Sequence, residues 1–124
     1  MQDKEQSNKA LIIDFVPNER KLLVKILHEY GYQVKEVKKI HEAAQLCKVE
    51  DFSLIISNLE SSISEELKIL DLVRHLGSKT RVVFITPHME VETYIKARAK
   101  GAFDCIDKVL EESALREVIA GAKN

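Results

Sequence analysis

The sequence is poor in the features that usually announce chemistry. It has two cysteines, Cys47 and Cys105, in 124 residues. That is too few for a disulfide framework and suits a reducing compartment, so a cytoplasmic location is expected. Its four glycines stand singly, near expected helix ends, so there is no glycine-rich phosphate loop. His28, His41, His75 and His88 show no metal-ligand spacing with the cysteines or with each other, and they read as solvated helix or loop residues. No Ser-His-Asp or Cys-His arrangement can be argued from order and spacing. Neither sign of charge dominates: 19 basic and 20 acidic residues are interspersed, for a net charge of -1. No basic face therefore points to direct nucleic-acid binding. No apolar run approaches the length of a membrane span, and no signal peptide is read before Ala10. Repeats, low-complexity segments and composition shifts are also missing.

What remains is the composition of one soluble domain, 45% apolar and 31% charged. Residues 1–9 are polar and aperiodic and read as a mobile tail; residues 10–124 read as the domain. Five short apolar runs alternate with helical patterns. The strands are expected at Ala10–Asp14, Tyr32–Val37, Ser53–Asn58, Arg81–Thr86 and Phe103–Asp107. The second is mixed in polarity and is placed at a sheet edge. The third is apolar on consecutive positions and is placed under helices on both faces. The helices carry apolar faces at Leu22, Leu23, Ile26, Leu27 and Tyr30; at Ala43, Ala44, Leu46 and Cys47; and at Leu67, Leu70, Val73 and Leu76. The fourth face is read at Val91, Tyr94, Ile95 and Ala99, and the last at Leu115, Val118, Ile119 and Ala122. Such alternation predicts an α/β fold with a parallel sheet and helices on both faces.

Polar residues close the apolar runs. Asp14, Asn58, Thr86 and Lys108 end the first, third, fourth and fifth. In an open α/β sheet the ligand site lies beyond the carboxyl ends of the strands, so these four should gather at one edge. Taken singly, Thr86 also fits a hydroxyl capping the next turn, and Asp14 an acid favoured by a helix N-terminus.

These runs, in order over nearly the whole chain, resemble the receiver domain of bacterial two-component response regulators. The resemblance rests on LIIDFVPNERKLL, EYGYQV, FSLIISN, VVFIT and KGAFDCIDK, and on the spacing from Thr86 to Lys108. It implies a flavodoxin-like, doubly wound (βα)5 three-layer sandwich with sheet order 2-1-3-4-5. It also implies a phosphoryl-accepting aspartate after the third strand and Mg²⁺ held by an acidic pair and that acceptor. A hydroxyl and a lysine would sense the phosphoryl oxygens, and an aromatic in the fifth strand would act as the switch.

The chain departs from that pattern at the reactive positions. Asp14 matches the first acid, but Phe15 stands at the second. Asn58 stands at the acceptor. Thr86 and Lys108 match the hydroxyl and the lysine, Cys105 occupies the switch position, and Val109 replaces a common proline. The loop LESSISEEL lacks the usual proline and glycine. One designed change at Asn58 would not account for the rest, which favours natural divergence. An amide cannot form an acyl phosphate, because the attacking group must be a carboxylate oxygen. Mg²⁺ needs oxygen ligands in near-octahedral array, usually with carboxylates, so its binding is expected to be weak or absent, and no other cofactor is implied. Lys108 is then expected to pair with Asp14.

The chain is accordingly read as a non-enzymatic pseudo-receiver in phosphorelay signalling, independent of its own phosphorylation. It would act on a protein partner: a signalling kinase, an effector or a second copy. The expected surface surrounds the fourth helix, fifth strand and fifth helix, with Tyr94, Lys96, Arg98, Asp104, Arg116 and Glu117. Two alternatives stand beside it. One is an active phosphoacceptor using a displaced carboxylate such as Glu60 or Asp107; the other is a small-molecule sensor in the vacated pocket.

Overall fold

The computed structural model describes residues 8–60, 65–77, 79–87, 89–108 and 112–123. His88, Val109 and the tip of the LESSISEEL loop lie outside them, as does nearly all of the expected tail. Strands β1 (Lys9–Ile13), β2 (Gln33–Val37), β3 (Leu54–Asn58), β4 (Arg81–Thr86) and β5 (Asp104–Asp107) alternate with five helices. These are α1 (Pro17–Glu29), α2 (Ile40–Val49), α3 (Lys68–His75), α4 (Val91–Ala99) and α5 (Glu112–Lys123), with a 3-10 turn, Glu65–Leu67, before α3. All strand pairs are parallel and the order is β2-β1-β3-β4-β5. The fold is the flavodoxin-like sandwich that the resemblance implied.

Strand alternation divides the core in two. Leu11, Ile13, Ile55, Val82, Phe84 and Cys105 face one side, against residues of α2, α3 and α4 such as Ala43, Leu70 and Ala97. Ala10, Ile12, Leu54, Ile56, Val83, Ile85 and Ile106 face the other, against α1 and α5 through Leu23, Ile26, Leu27 and Ile119. This explains the consecutive apolar residues of β3, every one of which is buried. Each such side chain contributes roughly 1.5–3 kcal/mol by leaving water. The edge strand β2 keeps three of its five residues exposed.

Three expectations need correction. β1 starts at Lys9 and stops at Ile13, so Asp14 lies outside the strand. In α3, Leu76 is exposed and Ile69 is buried instead. The face of α4 is the largest change. Thr93 and Ala97 are buried, while Val91, Tyr94 and Ile95 are 75%, 39% and 59% exposed and Ala99 is exposed. Small side chains let α4 lie close to the sheet, and its large apolar residues turn to solvent.

Candidate functional site

The strand order reverses between β1 and β3, and the candidate site lies at the carboxyl ends of these strands and of β4 and β5. Backbone bonds tie the strand ends together. Asp14 N–H donates to Val37 O (3.0 Å), Leu59 N–H to Ile85 O (2.9 Å) and Lys108 N–H to Thr86 O (2.9 Å). Asn58 and Thr86 close β3 and β4 as buried residues, and Lys108 follows β5 half-buried.

Asp14 and Phe15, at the two positions where the resemblance placed an acidic pair, point to different places. Asp14 adopts φ 66°, the one positive φ of a non-glycine residue among the described residues. Its side chain is exposed and lines a cleft of about 110 Å³ with Arg20, Glu36, Val37 and Lys38. Phe15 turns inward and joins the α1–α5 core with Ile12, Leu23, Ile56, Ile85 and Ile106. The ring thus takes apolar partners at the position where the resemblance placed a metal-binding acid.

Lys108 does not pair with Asp14. Its Nζ lies 3.5 Å from Glu19 Oε2, in the first turn of α1. The reversed backbone at Asp14 carries that carboxylate out of the site, and Glu19 supplies the anion instead. Sequence reasoning missed Glu19. The available signal was an acid in the first turn of the helix that follows the first strand, where the helix dipole favours negative charge. The other oxygen, Glu19 Oε1, is buried and has no hydrogen-bond partner among the described residues.

Asn58 is 5% exposed. Its Nδ2 donates to Glu60 Oε2 at 3.2 Å, while Oδ1 is buried without a partner among the described residues. Leaving such an acceptor unmatched costs roughly 1–3 kcal/mol. Glu60 is thus drawn to the Asn58 amide. Asp107 is half-buried at the end of β5, in register with Thr86. Cys105 is buried, and desolvation, with the Asp104 carboxylate beside it, pushes its thiol up to about 11. At neutral pH it is a small apolar side chain with no large ring to reorient. Cys47 is also free, and burial raises its thiol too.

The expected partner residues divide. Tyr94, Lys96 and Arg98 are exposed on α4 beside Val91 and Ile95, and the Arg98 guanidinium lies 5.8 Å from the Tyr94 ring centre. Glu117 is exposed on α5, and Asp104 Oδ1 accepts the Cys105 N–H at 2.8 Å. Arg116 belongs to a different contact. It pairs with Glu29 of α1 and, at 2.7 Å, with Glu112, so its guanidinium ties α5 to α1.

The donor set does not fit Mg²⁺. Phe15 offers no oxygen, Asn58 offers a neutral one, and Asp14 faces the β2 side of the edge. Among the described residues no cluster of three or more His, Cys, Asp or Glu side chains has the geometry to hold a metal ion. No described helix is long and apolar enough to cross a membrane.

A family model for the response regulator receiver domain matches residues 10–120. The chain is 30% identical over 114 residues to the response regulator protein PilR of Pseudomonas aeruginosa, a match covering 92% of this chain and 26% of PilR. It is 29% identical over 100 residues to the nitrogen assimilation regulatory protein NtrX of Azorhizobium caulinodans, covering 79% of this chain and 22% of NtrX. The chain therefore spans about a quarter of the length of these curated relatives. Among solved structures, the beryllofluoride-activated NtrC4 receiver domain dimer matches with a TM-score of 0.82 at 25% identity, over 93% of this chain and 95% of that one. The chemotaxis protein CheY4 of Vibrio cholerae matches in fold with a TM-score of 0.79 at 20% identity, over 95% of this chain and 99% of that one.

Proposed function

The chain belongs to the response regulator receiver domain family of two-component signalling, and from that premise we propose that it transmits its signal by protein contact without being phosphorylated itself. The observation that carries this reading is the pair Asn58 and Phe15. An amide replaces the nucleophilic carboxylate, and a ring buried in the core replaces a metal-binding one. Phosphoryl transfer depends on positioning and charge neutralisation around a competent nucleophile, and both are lost together. The domain is accordingly a binding module and not an enzyme, and it needs no Mg²⁺.

The contact surface is the outer face of α4 with its neighbours β5 and α5. Val91, Tyr94 and Ile95 place apolar and aromatic area beside Lys96 and Arg98, a composition suited to the centre of a protein interface. Glu117 is exposed on α5 and Asp104 opens β5. The partner is a protein: a kinase, an effector or a second copy. The likeness to the NtrC4 receiver, which was solved as a dimer, favours self-association as one form. The charge balance and the lack of a basic face argue against direct binding to nucleic acid.

The test is incubation with Mg²⁺ and a small phosphoryl donor, read by intact mass. The unmodified chain is expected to gain no phosphoryl group. Asn58→Asp combined with Phe15→Asp is expected to gain Mg²⁺-dependent phosphorylation. Stoichiometric phosphorylation of the unmodified chain would refute the reading, and would return Glu60 or Asp107 as the acceptor.

A further inference from the structure

The strongest unexplained feature is the partner of Lys108. We propose that Glu19 is a resident anion: it occupies the Lys108 ammonium from within the chain and masks a site for a tetrahedral oxyanion such as inorganic phosphate. This deepens the phosphorylation-independent reading and rests on it.

Three observations converge. Lys108 Nζ lies 3.5 Å from Glu19 Oε2, its only ion pair among the described residues. Asp14, the competing carboxylate, is turned away by its positive φ into the cleft beside β2. Glu19 Oε1 is buried with no hydrogen-bond partner among the described residues. A glutamate free to choose its rotamer would leave neither oxygen dry and unmatched. Its first-turn place on α1 and the pull of the ammonium hold it there.

The consequence is structural. The backbone N–H of Lys108 already donates to Thr86 O, so the end of β5 is fixed to β4. Glu19 adds a side-chain tie from that point to α1. The ammonium then has an anion from its own chain beside it, and no external donor is needed to set its position. Removing the Glu19 charge would leave Lys108 as a half-buried cation beside the Thr86 strand end, able to accept an oxyanion.

The experiment titrates inorganic phosphate at constant ionic strength into the unmodified chain, Glu19→Gln, and Glu19→Gln with Lys108→Gln, following the backbone amides of Thr86 and Lys108 by NMR. The unmodified chain is expected to show no saturable shift. Glu19→Gln is expected to bind phosphate at least about tenfold more tightly, the scale of removing one nearby charge at a partly solvated site. The double variant should lose that gain. A second readout needs no phosphate. Glu19→Gln should shift the NMR signal of the Lys108 ammonium, because it removes the charge 3.5 Å away. Equal phosphate binding by the unmodified and Glu19→Gln chains would overturn the proposal, as would a Lys108 ammonium signal indifferent to Glu19→Gln. Either result would leave the functional reading intact, because that reading fails only if the unmodified chain is phosphorylated.

Discussion

At the scale of single residues, Asp14 shows how an acid beyond a strand end can be turned out of the edge it closes. Its φ of 66° lies in the left-handed region, where asparagine and aspartate are tolerated and β-branched residues are not. Asp14→Gly should therefore hold or raise the urea midpoint, whereas Asp14→Val should lower stability by about 1–2 kcal/mol. If the carboxylate mattered more than the backbone, glycine would be as damaging as valine. The places of Asn58, Thr86 and Lys108 at strand ends were legible because each ends an apolar run. The direction of the Asp14 side chain was not, because one backbone dihedral sets it. Glu19 was missed for a related reason. Its first-turn place on α1 was a local signal, but its pairing with Lys108 joins two residues distant in sequence, and no local pattern marks that pairing.

At the scale of elements, α4 separates composition from burial. Its large apolar residues suggested the inward face, yet Thr93 and Ala97 are the ones buried. The sheet beneath already carries Phe84 in a core shared with Ala97 and Ala102, so a small-residue face fits there and a large one would not. Ile95→Glu should change unfolding free energy by less than about 0.5 kcal/mol, as surface substitutions do. It should nevertheless abolish self-association or partner capture, followed by sedimentation or pull-down. Ala97→Leu should do the reverse and cost roughly 1–3 kcal/mol through overpacking. A large stability loss from Ile95→Glu would show that the residue is a core position after all. The helices α1 and α5 were read correctly, because their apolar residues are numerous enough to define one face.

At the scale of the whole molecule, surface carboxylates contribute to acid stability. Glu29 is held below its ordinary value of 4.5 by a hydrogen bond from Arg116, and Glu50 and Glu65 by hydrogen bonds from Lys35 and Lys68. Glu42 is lowered by the backbone N–H groups of Lys39 and then Lys38, where it caps α2. Each pKa is lower in the folded chain than in the unfolded one. Their stabilisation is therefore complete above about pH 4.5 and is lost as the pH falls through the folded values. The denaturant midpoint should be level from neutrality down to that point and then fall, and Glu42→Gln should make the fall shallower. A midpoint that rises on acidification would contradict this assignment.

The sequence by itself determined the alternation of five strands and five helices, the edge position of β2, the full burial of β3 and the polar residues that close the strands. Those properties follow from local periodicity and from where apolar runs stop. It also determined that β3 closes on an amide and not a carboxylate, since Asn58 is an amide in any fold. Tertiary structure decided which face of α4 meets the sheet, that Phe15 is a core residue, that Arg116 ties α5 to α1 and that Glu19, not Asp14, answers Lys108. Those outcomes depend on packing space and on one backbone reversal, and they arise only when distant segments compete for the same place.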